Sequence, residues 1–83
     1  MYKILKKEEL SDAVVLFEID VPEIAKKAQA GNFFILKVNE QGERIPLTIA
    51  DFDRETGTIT TVLQKIGKTT YQLAMLNEGD FLS

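Results

Sequence analysis

Short apolar and β-branched runs recur along the chain, each bounded by polar residues or glycine. This pattern is typical of β-strands in a small domain. It predicts strands over residues 2–10, 13–20, 32–39, 44–51 and 58–66. Polar turns are predicted at Ser11-Asp12, residues 40–43, 53–57 and 77–80, and Phe81-Leu82 begins a further strand.

The period of the pattern changes after the second strand. Pro22 suits the first turn of a helix, and Asp20 and Glu23 have the spacing of a capping box. Apolar residues then recur at helical spacing until Gly31, which favours a left-handed stop. A short helix is therefore predicted over about residues 22–29.

A second helix is predicted after Gly67. Thr69 is the expected N-cap and Gln72 occupies the reciprocal capping position, while Leu73 and Leu76 form the apolar stripe. The predicted helix covers residues 69–76.

These elements predict a mainly β fold, because at least five closely spaced strands and two short helices show no βαβ alternation. The expected architecture is a small antiparallel, split, Greek-key-like β-barrel with one or two short helices. Pro46 interrupts the fourth strand and has no amide hydrogen, so an edge or a bulge is expected there. Because the chain stops soon after Phe81-Leu82, we expect residues 1–83 to be one barrel domain truncated before its last strand or strands.

Composition narrows the possible functions. The 83 residues include no cysteine and no histidine, which excludes disulfides, thiolate metal sites, a bound iron–sulfur cluster and the commonest general base. The net charge of −3 and the mixed charge runs argue against nucleic-acid binding. No apolar run approaches a membrane span, so a cytoplasmic protein is expected. Asp51 and Asp53 are better explained by turn chemistry than by a catalytic pair or a metal site.

One candidate binding segment covers residues 44–51. The Arg44 guanidinium is suited to a phosphate, and Pro46 frees backbone groups to face a ligand. Leu47 offers an apolar contact and Thr48 a hydroxyl within reach of a ring nitrogen. The alternative is an edge strand with an exposed arginine and a core-facing leucine.

The other candidate segment covers residues 64–70. Gly67 followed by Lys68, Thr69 and Thr70 at a helix start would place backbone N–H groups and hydroxyls together, as an anion site requires. A P-loop would also need a glycine where Val62 stands, so that motif is excluded. The alternative is a simple helix cap.

Together, the two segments resemble the flavin-binding barrel of the ferredoxin–NADP reductase superfamily. The resemblance is to the branch of the ferredoxin–NADP reductase alpha subunit (sulfide dehydrogenase subunit) and the dihydroorotate dehydrogenase electron-transfer subunit. Residues 30–34, Ala-Gly-Asn-Phe-Phe, are similar to the Pro-Gly-Gln-Phe-like entry of that family. The resemblance covers essentially the whole chain.

The resemblance implies a site for FAD, or possibly FMN. It assigns phosphate binding to Arg44, a ring contact to Leu47 and a position near flavin N5 to Thr48. It places Val62, Leu63 and Gln64 along the ribityl and ribose. Pyrophosphate binding is assigned to Gly67, Thr69 and Thr70. The full set of implied cofactor-binding residues is Arg44, Pro46, Leu47, Thr48, Val62, Leu63, Gln64, Gly67, Lys68, Thr69 and Thr70.

Two positions depart from the family pattern. The family's arginine immediately precedes the proline, where this chain has Ile45 and carries Arg44 one residue earlier. A shift of one residue turns a side chain to the other face of a strand unless a bulge restores it. The family's Gly-x-Gly-Thr is here residues 67–70, in which one glycine is lost and Lys68 could supply a phosphate counter-charge.

The resemblance also implies a role in a larger protein. There, hydride would pass from NAD(P)H to FAD, and single electrons would pass to an iron–sulfur centre, with ferredoxin or a partner oxidoreductase subunit as acceptor. With no nucleotide-binding domain and no cysteine cluster, residues 1–83 alone are expected to be catalytically incompetent and to self-associate through an open barrel edge. Flavin retention by this piece is left open. The alternative is a small SH3- or translation-barrel-like interaction module without catalysis.

Overall fold

The computed structural model describes residues 2–29, 31–38 and 41–82. In these residues the strands are β1 (Tyr2–Ser11), β2 (Val14–Asp20), β3 (Phe33–Lys37), β4 (Arg44–Asp53), β5 (Thr58–Gln64) and β6 (Phe81–Leu82), and the helices are α1 (Pro22–Lys27) and α2 (Lys68–Ala74).

The strands form one nearly closed antiparallel barrel in the order β3-β4-β5-β2-β1-β6. β3, β4 and β5 are joined as consecutive hairpins, and β2 lies beside β5 although α1 and two strands separate them in the chain. This is a Greek-key arrangement. The predicted mainly β barrel with two short helices is therefore confirmed.

The strand boundaries differ from the prediction at a few points. β5 ends at Gln64, because the Ile66 amide turns back to the Gln64 carbonyl at 3.0 Å. The predictions that involve residues 30, 39, 40 and 83, which include parts of the third strand and the following turn, lie outside the described residues.

The predicted cap of α1 is wrong. Asp20 stays in β2, paired with Thr58, and the helix N-cap is Val21, which makes no side-chain capping bond. The strand ladder therefore includes Asp20, in agreement with the predicted strand over residues 13–20, and the Val21 amide donates to the Gly57 carbonyl at 2.8 Å. The helix ends at Lys27, before Gly31 with its φ of +88°.

Two contacts fix α1 on the barrel. The Arg54 guanidinium donates to the Ala28 carbonyl at 2.8 Å and lies 4.7 Å from the centre of the Phe52 ring. The Tyr2 hydroxyl donates to Glu23 Oε2 at 3.2 Å, and burial together with that carboxylate raises the pKa of the phenol.

The barrel is filled by side chains from every strand. The fully buried large residues are Ile4, Val15, Phe17, Ile19, Val21, Ile59, Thr61, Leu73 and Leu82. β4 follows the same alternation, with Ile45, Leu47 and Ile49 inside and residues 44, 46 and 48 outside. This alternation decides which β4 side chains can meet a ligand.

The Gly57 position gives a test of the contact between α1 and the β4–β5 hairpin. Gly57 has a φ of +74°, and an added Cβ would lie 3.1 Å from three atoms of Pro22. Gly79 has a φ of +91° with nothing within 4 Å of an added Cβ. We expect Gly79→Ala to lower the free energy of unfolding by about 1 kcal/mol and Gly57→Ala by about 2 kcal/mol. Equal losses in denaturant unfolding would contradict the Pro22 contact.

Candidate functional site

β4 and β5 separate halfway along the barrel. β4 pairs with β5 only over residues 49–53, whereas residues 44–48 pair with β3. In β5, residues 62–64 pair with β2 on their other side. The two strands therefore leave an open groove between residues 44–48 and residues 62–64.

The groove has a volume of about 490 Å³. It is lined by Ile45, Pro46, Leu47, Thr48, Val62, Leu63, Gln64, Ile66 and Thr70. Seven of the eleven residues that the resemblance implied therefore lie together. Arg44, Gly67, Lys68 and Thr69 are outside the lining but next to it in the chain. The role of all eleven toward a flavin stays a prediction.

The pairing of β4 with β3 determines which backbone N–H and C=O groups of β4 face the groove. The Ile49 amide donates to the Asn32 carbonyl at 2.7 Å, so by alternation Thr48 and Pro46 turn their backbone groups away from β3 and toward the gap. Pro46 has no N–H and leaves no unpaired donor there. The edge expected at Pro46 is thus present, while the irregularity of β4 lies between Ile49 and Asp51.

A buried hydroxyl joins the two strands where they separate. Thr61 is fully buried, and its Oγ1 donates to the Thr48 carbonyl at 2.8 Å. Sequence reasoning missed Thr61, although its alternation with Ile59 and Leu63 places it among inward-facing positions. A polar residue at such a position needs a hydrogen-bond partner, and that was the available signal.

The register of β4 settles which way Arg44 and Leu47 point. Residues 44–48 pair with β3 without a register shift, so Arg44 shares the outer face with Pro46 and Thr48. No bulge moves Arg44 to the face of Ile45. Leu47 is 3% exposed and points into the core. For these two side chains the structure has the exposed arginine and core-facing leucine of the alternative interpretation.

Apolar surface in the groove comes instead from the β5 side. Val62 is 42% exposed and Ile66 is 81% exposed, and both line the groove. The sequence analysis placed Ile66 at the end of a strand. An isoleucine there gives no pattern signal that separates a buried side chain from an exposed one.

The predicted cap of α2 is wrong. The N-cap is Gly67 rather than Thr69, and the reciprocal residue is Thr70 rather than Gln72. Thr70 Oγ1 accepts from the amides of Gly67 at 2.8 Å and Ile66 at 3.0 Å, and it donates to the Gly67 carbonyl at 2.8 Å. The Gly67 amide and the Thr70 hydroxyl are therefore engaged in the cap, as the alternative interpretation held.

Two cationic residues, Arg44 and Lys68, are close to the groove lining in the chain. Thr69 Oγ1 donates to Glu43 Oε2 at 3.2 Å, which joins the start of α2 to the start of β4. Arg44 and Lys68 are the chain neighbours of this pair, so their backbone lies at the same end, where the Glu43 carboxylate is a local opposing charge.

A larger concavity, of about 580 Å³, lies at the other end of β4 and β5 and has an acidic lining that includes Glu18, Asp20 and Asp51. Asp53 Oδ1 accepts from the amides of Glu55 and Thr56, so the turn chemistry predicted for it is confirmed. Within residues 2–29, 31–38 and 41–82, no cluster of acidic side chains could hold a metal ion. Carboxylates repel phosphate, so the smaller groove is the candidate site.

No helix in the described part of the chain is long and apolar enough to cross a membrane. No protein-family model matches the sequence.

Three proteins are similar to this chain over at least 94% of its length. A Clostridium beijerinckii protein, named only as an uncharacterized protein in the adh 3' region, is 53% identical over the whole chain. A Thermotoga maritima protein is 41% identical over 94% of the chain and is named as a homolog of the electron transfer subunit of NAD(+)-dependent dihydroorotate dehydrogenase B. This chain spans 28% of the length of each relative.

A solved structure is also similar to this chain in both fold and sequence. A chain of an NADH-dependent reduced ferredoxin-NADP oxidoreductase, determined to understand flavin-based electron bifurcation, matches with a TM-score of 0.94 and 39% identity. The match covers 99% of this chain and 30% of that one. The resemblance seen in the sequence is thereby confirmed. The chain is homologous to the electron transfer subunit homolog and matches part of a flavin-based oxidoreductase.

The capping role of Thr70 can be tested by stability. We expect Thr70→Val to lower the free energy of unfolding by about 1 kcal/mol, because the amides of Ile66 and Gly67 lose their acceptor. Thr69→Val, which breaks only an exposed bond to Glu43, should change it by less than about 0.5 kcal/mol. Urea unfolding checks both variants. Equal effects would show that the Thr70 hydroxyl is not the cap.

Proposed function

We propose that the groove between β4 and β5 binds a flavin, FAD in the first place and FMN as the second choice. The observation that supports this most is the separation of the two strands, which opens a cleft lined by exposed apolar side chains, with Arg44 and Lys68 close to its lining in the chain. The homology to an electron transfer subunit homolog and the match to a flavin-based oxidoreductase support the same function.

In this proposal each part of the groove meets a different part of the flavin. Arg44 and Lys68 neutralise the phosphates at the end that they flank. Val62 and Ile66 cover the apolar part of the cofactor, and the Thr48 hydroxyl bonds a ring nitrogen. When bound, the flavin supplies the ability to accept a hydride and to release electrons singly.

We further propose that the chain acts as the flavin-binding part of an NAD(P)H-dependent electron-transfer oxidoreductase. Because the chain has no cysteine, the ligands of an iron–sulfur centre would come from outside these 83 residues. NAD(P)H as donor, and ferredoxin or a partner subunit as acceptor, belong to the whole protein. These 83 residues alone are expected to bind flavin without completing the reaction.

Flavin titration tests the proposal. We expect FAD to bind saturably, with quenching of its fluorescence and a higher melting temperature of the protein. Val62→Ser should weaken binding about tenfold, because apolar contact in the groove is lost.

The matched control is Leu5→Ser. Leu5 is 41% exposed, close to the 42% of Val62, but it lies beside the acidic concavity on β1. Its substitution should leave the affinity unchanged. An unaltered affinity in Val62→Ser, or equal losses in both variants, would place the flavin outside the groove.

We also propose self-association of these 83 residues through β3, one of the two end strands in the described sheet order. Ile35 on β3 is exposed and apolar, and unpaired apolar edges favour strand pairing between molecules. Light scattering should give a dimer or larger species for the wild type and a monomer for Ile35→Lys. A wild type that stays monomeric at high concentration would contradict this part.

A further inference from the structure

We infer that Thr61 is a positioning residue for the flavin site, acting through Thr48. The inference rests on the proposed function and adds a residue to it that does not line the groove. Thr61 lies beneath the groove wall, with its side chain fully buried in the core.

The hydroxyl of Thr61 has one partner in the described structure, the Thr48 carbonyl at 2.8 Å. Thr61 is also the one buried polar side chain found among residues 2–29, 31–38 and 41–82. Every other described residue of the core is apolar. A lone hydroxyl in such a core costs free energy unless its hydrogen bond is made. The folded state therefore strongly favours the conformation that makes this bond.

The bond holds Thr48, a residue that the backbone ladder between β4 and β5 does not reach. The β4–β5 ladder reaches Ile49, opposite Thr61, and its register shifts immediately beyond, before Asp51. On the other side of Ile49, Thr48 pairs only with Phe33 of β3. The hydroxyl bond is thus the link that fixes the Thr48 carbonyl relative to β5.

Fixing that carbonyl also fixes the exposed side chain on the same residue. With the carbonyl held toward β5 and Leu47 and Ile49 held in the core, Thr48 has its hydroxyl directed outward at the groove wall. Without the Thr61 bond the Thr48 carbonyl would be an unpaired acceptor beside the groove. The peptide could then rotate, which would displace the Thr48 hydroxyl that bonds the flavin ring in the proposed site.

Three substitutions separate this role from simple packing. Thr61→Val keeps the shape and removes the hydroxyl, whereas Thr61→Ser keeps the hydroxyl and removes a methyl group. Thr60→Val is the matched control, because Thr60 is the preceding residue of β5, faces the other side of the strand, and lines the acidic concavity.

The experiment is FAD titration of each variant, together with the visible absorption and circular dichroism of the bound flavin. We expect Thr61→Val to weaken FAD binding about tenfold and to change the flavin spectrum. Thr61→Ser should keep the wild-type spectrum and an affinity within about threefold of wild type, and Thr60→Val should match wild type in both. A purely structural role would change unfolding but leave the spectrum of the bound flavin as it is.

The outcomes distinguish the two proposals. If the wild type binds FAD and Thr61→Val binds it with the same affinity and spectrum, the inference about Thr61 is overturned and the flavin proposal stands. If the wild type binds no flavin, both are overturned. Should Thr61→Val fail to fold, Thr61→Ser and Thr61→Ala differ by the hydroxyl alone, and equal binding and spectra for that pair would overturn the inference.

Discussion

A single hydrogen bond, from the Thr61 hydroxyl to the Thr48 carbonyl, joins β4 to β5 at the place where these two strands part. Each strand has two edges, and β4 uses one edge over residues 44–48 and the other over residues 49–53. Such a change of partner leaves backbone groups unpaired unless something else takes them up. The buried hydroxyl takes up one of them, and Pro46 removes another by having no amide hydrogen. The groove is thus a consequence of where β4 changes its partner strand.

The charge distribution matches the groove to an amphipathic anionic ligand better than the net charge suggests. The whole chain carries −3, but Arg44 and Lys68 adjoin one end of the groove in the chain, beside Glu43, and several acidic side chains line the concavity at the opposite end of β4 and β5. A phosphate-bearing ligand would therefore be favoured in one orientation along the groove.

Sequence patterns were sufficient for the barrel and for much of the groove, because both depend on local rules. β-branched runs, turn residues and one proline predicted the strands and the free edge at Pro46. The failures concern the helix starts. Asp20 does not cap α1, because it is paired with Thr58 in β2, and Thr70 replaces Gln72 as the reciprocal capping residue, because the helix begins at Lys68. Thr61 matters through its bond to Thr48, which is distant in the chain. Ile66 matters through its exposure, which the pattern of hydrophobic residues does not reveal. The alternation of β5 could mark Thr61 as an inward-facing polar residue, but no local rule assigns its partner or the exposure of Ile66.

The location of the flavin is the central claim, and an NMR titration of the 83-residue chain with FAD tests it most directly. The account predicts that the largest amide shifts map to Leu47, Thr48 and residues 62–66, with small shifts in the acidic region around residues 51–58. Shifts concentrated in that acidic region, or no shifts at a saturating flavin concentration, would contradict it.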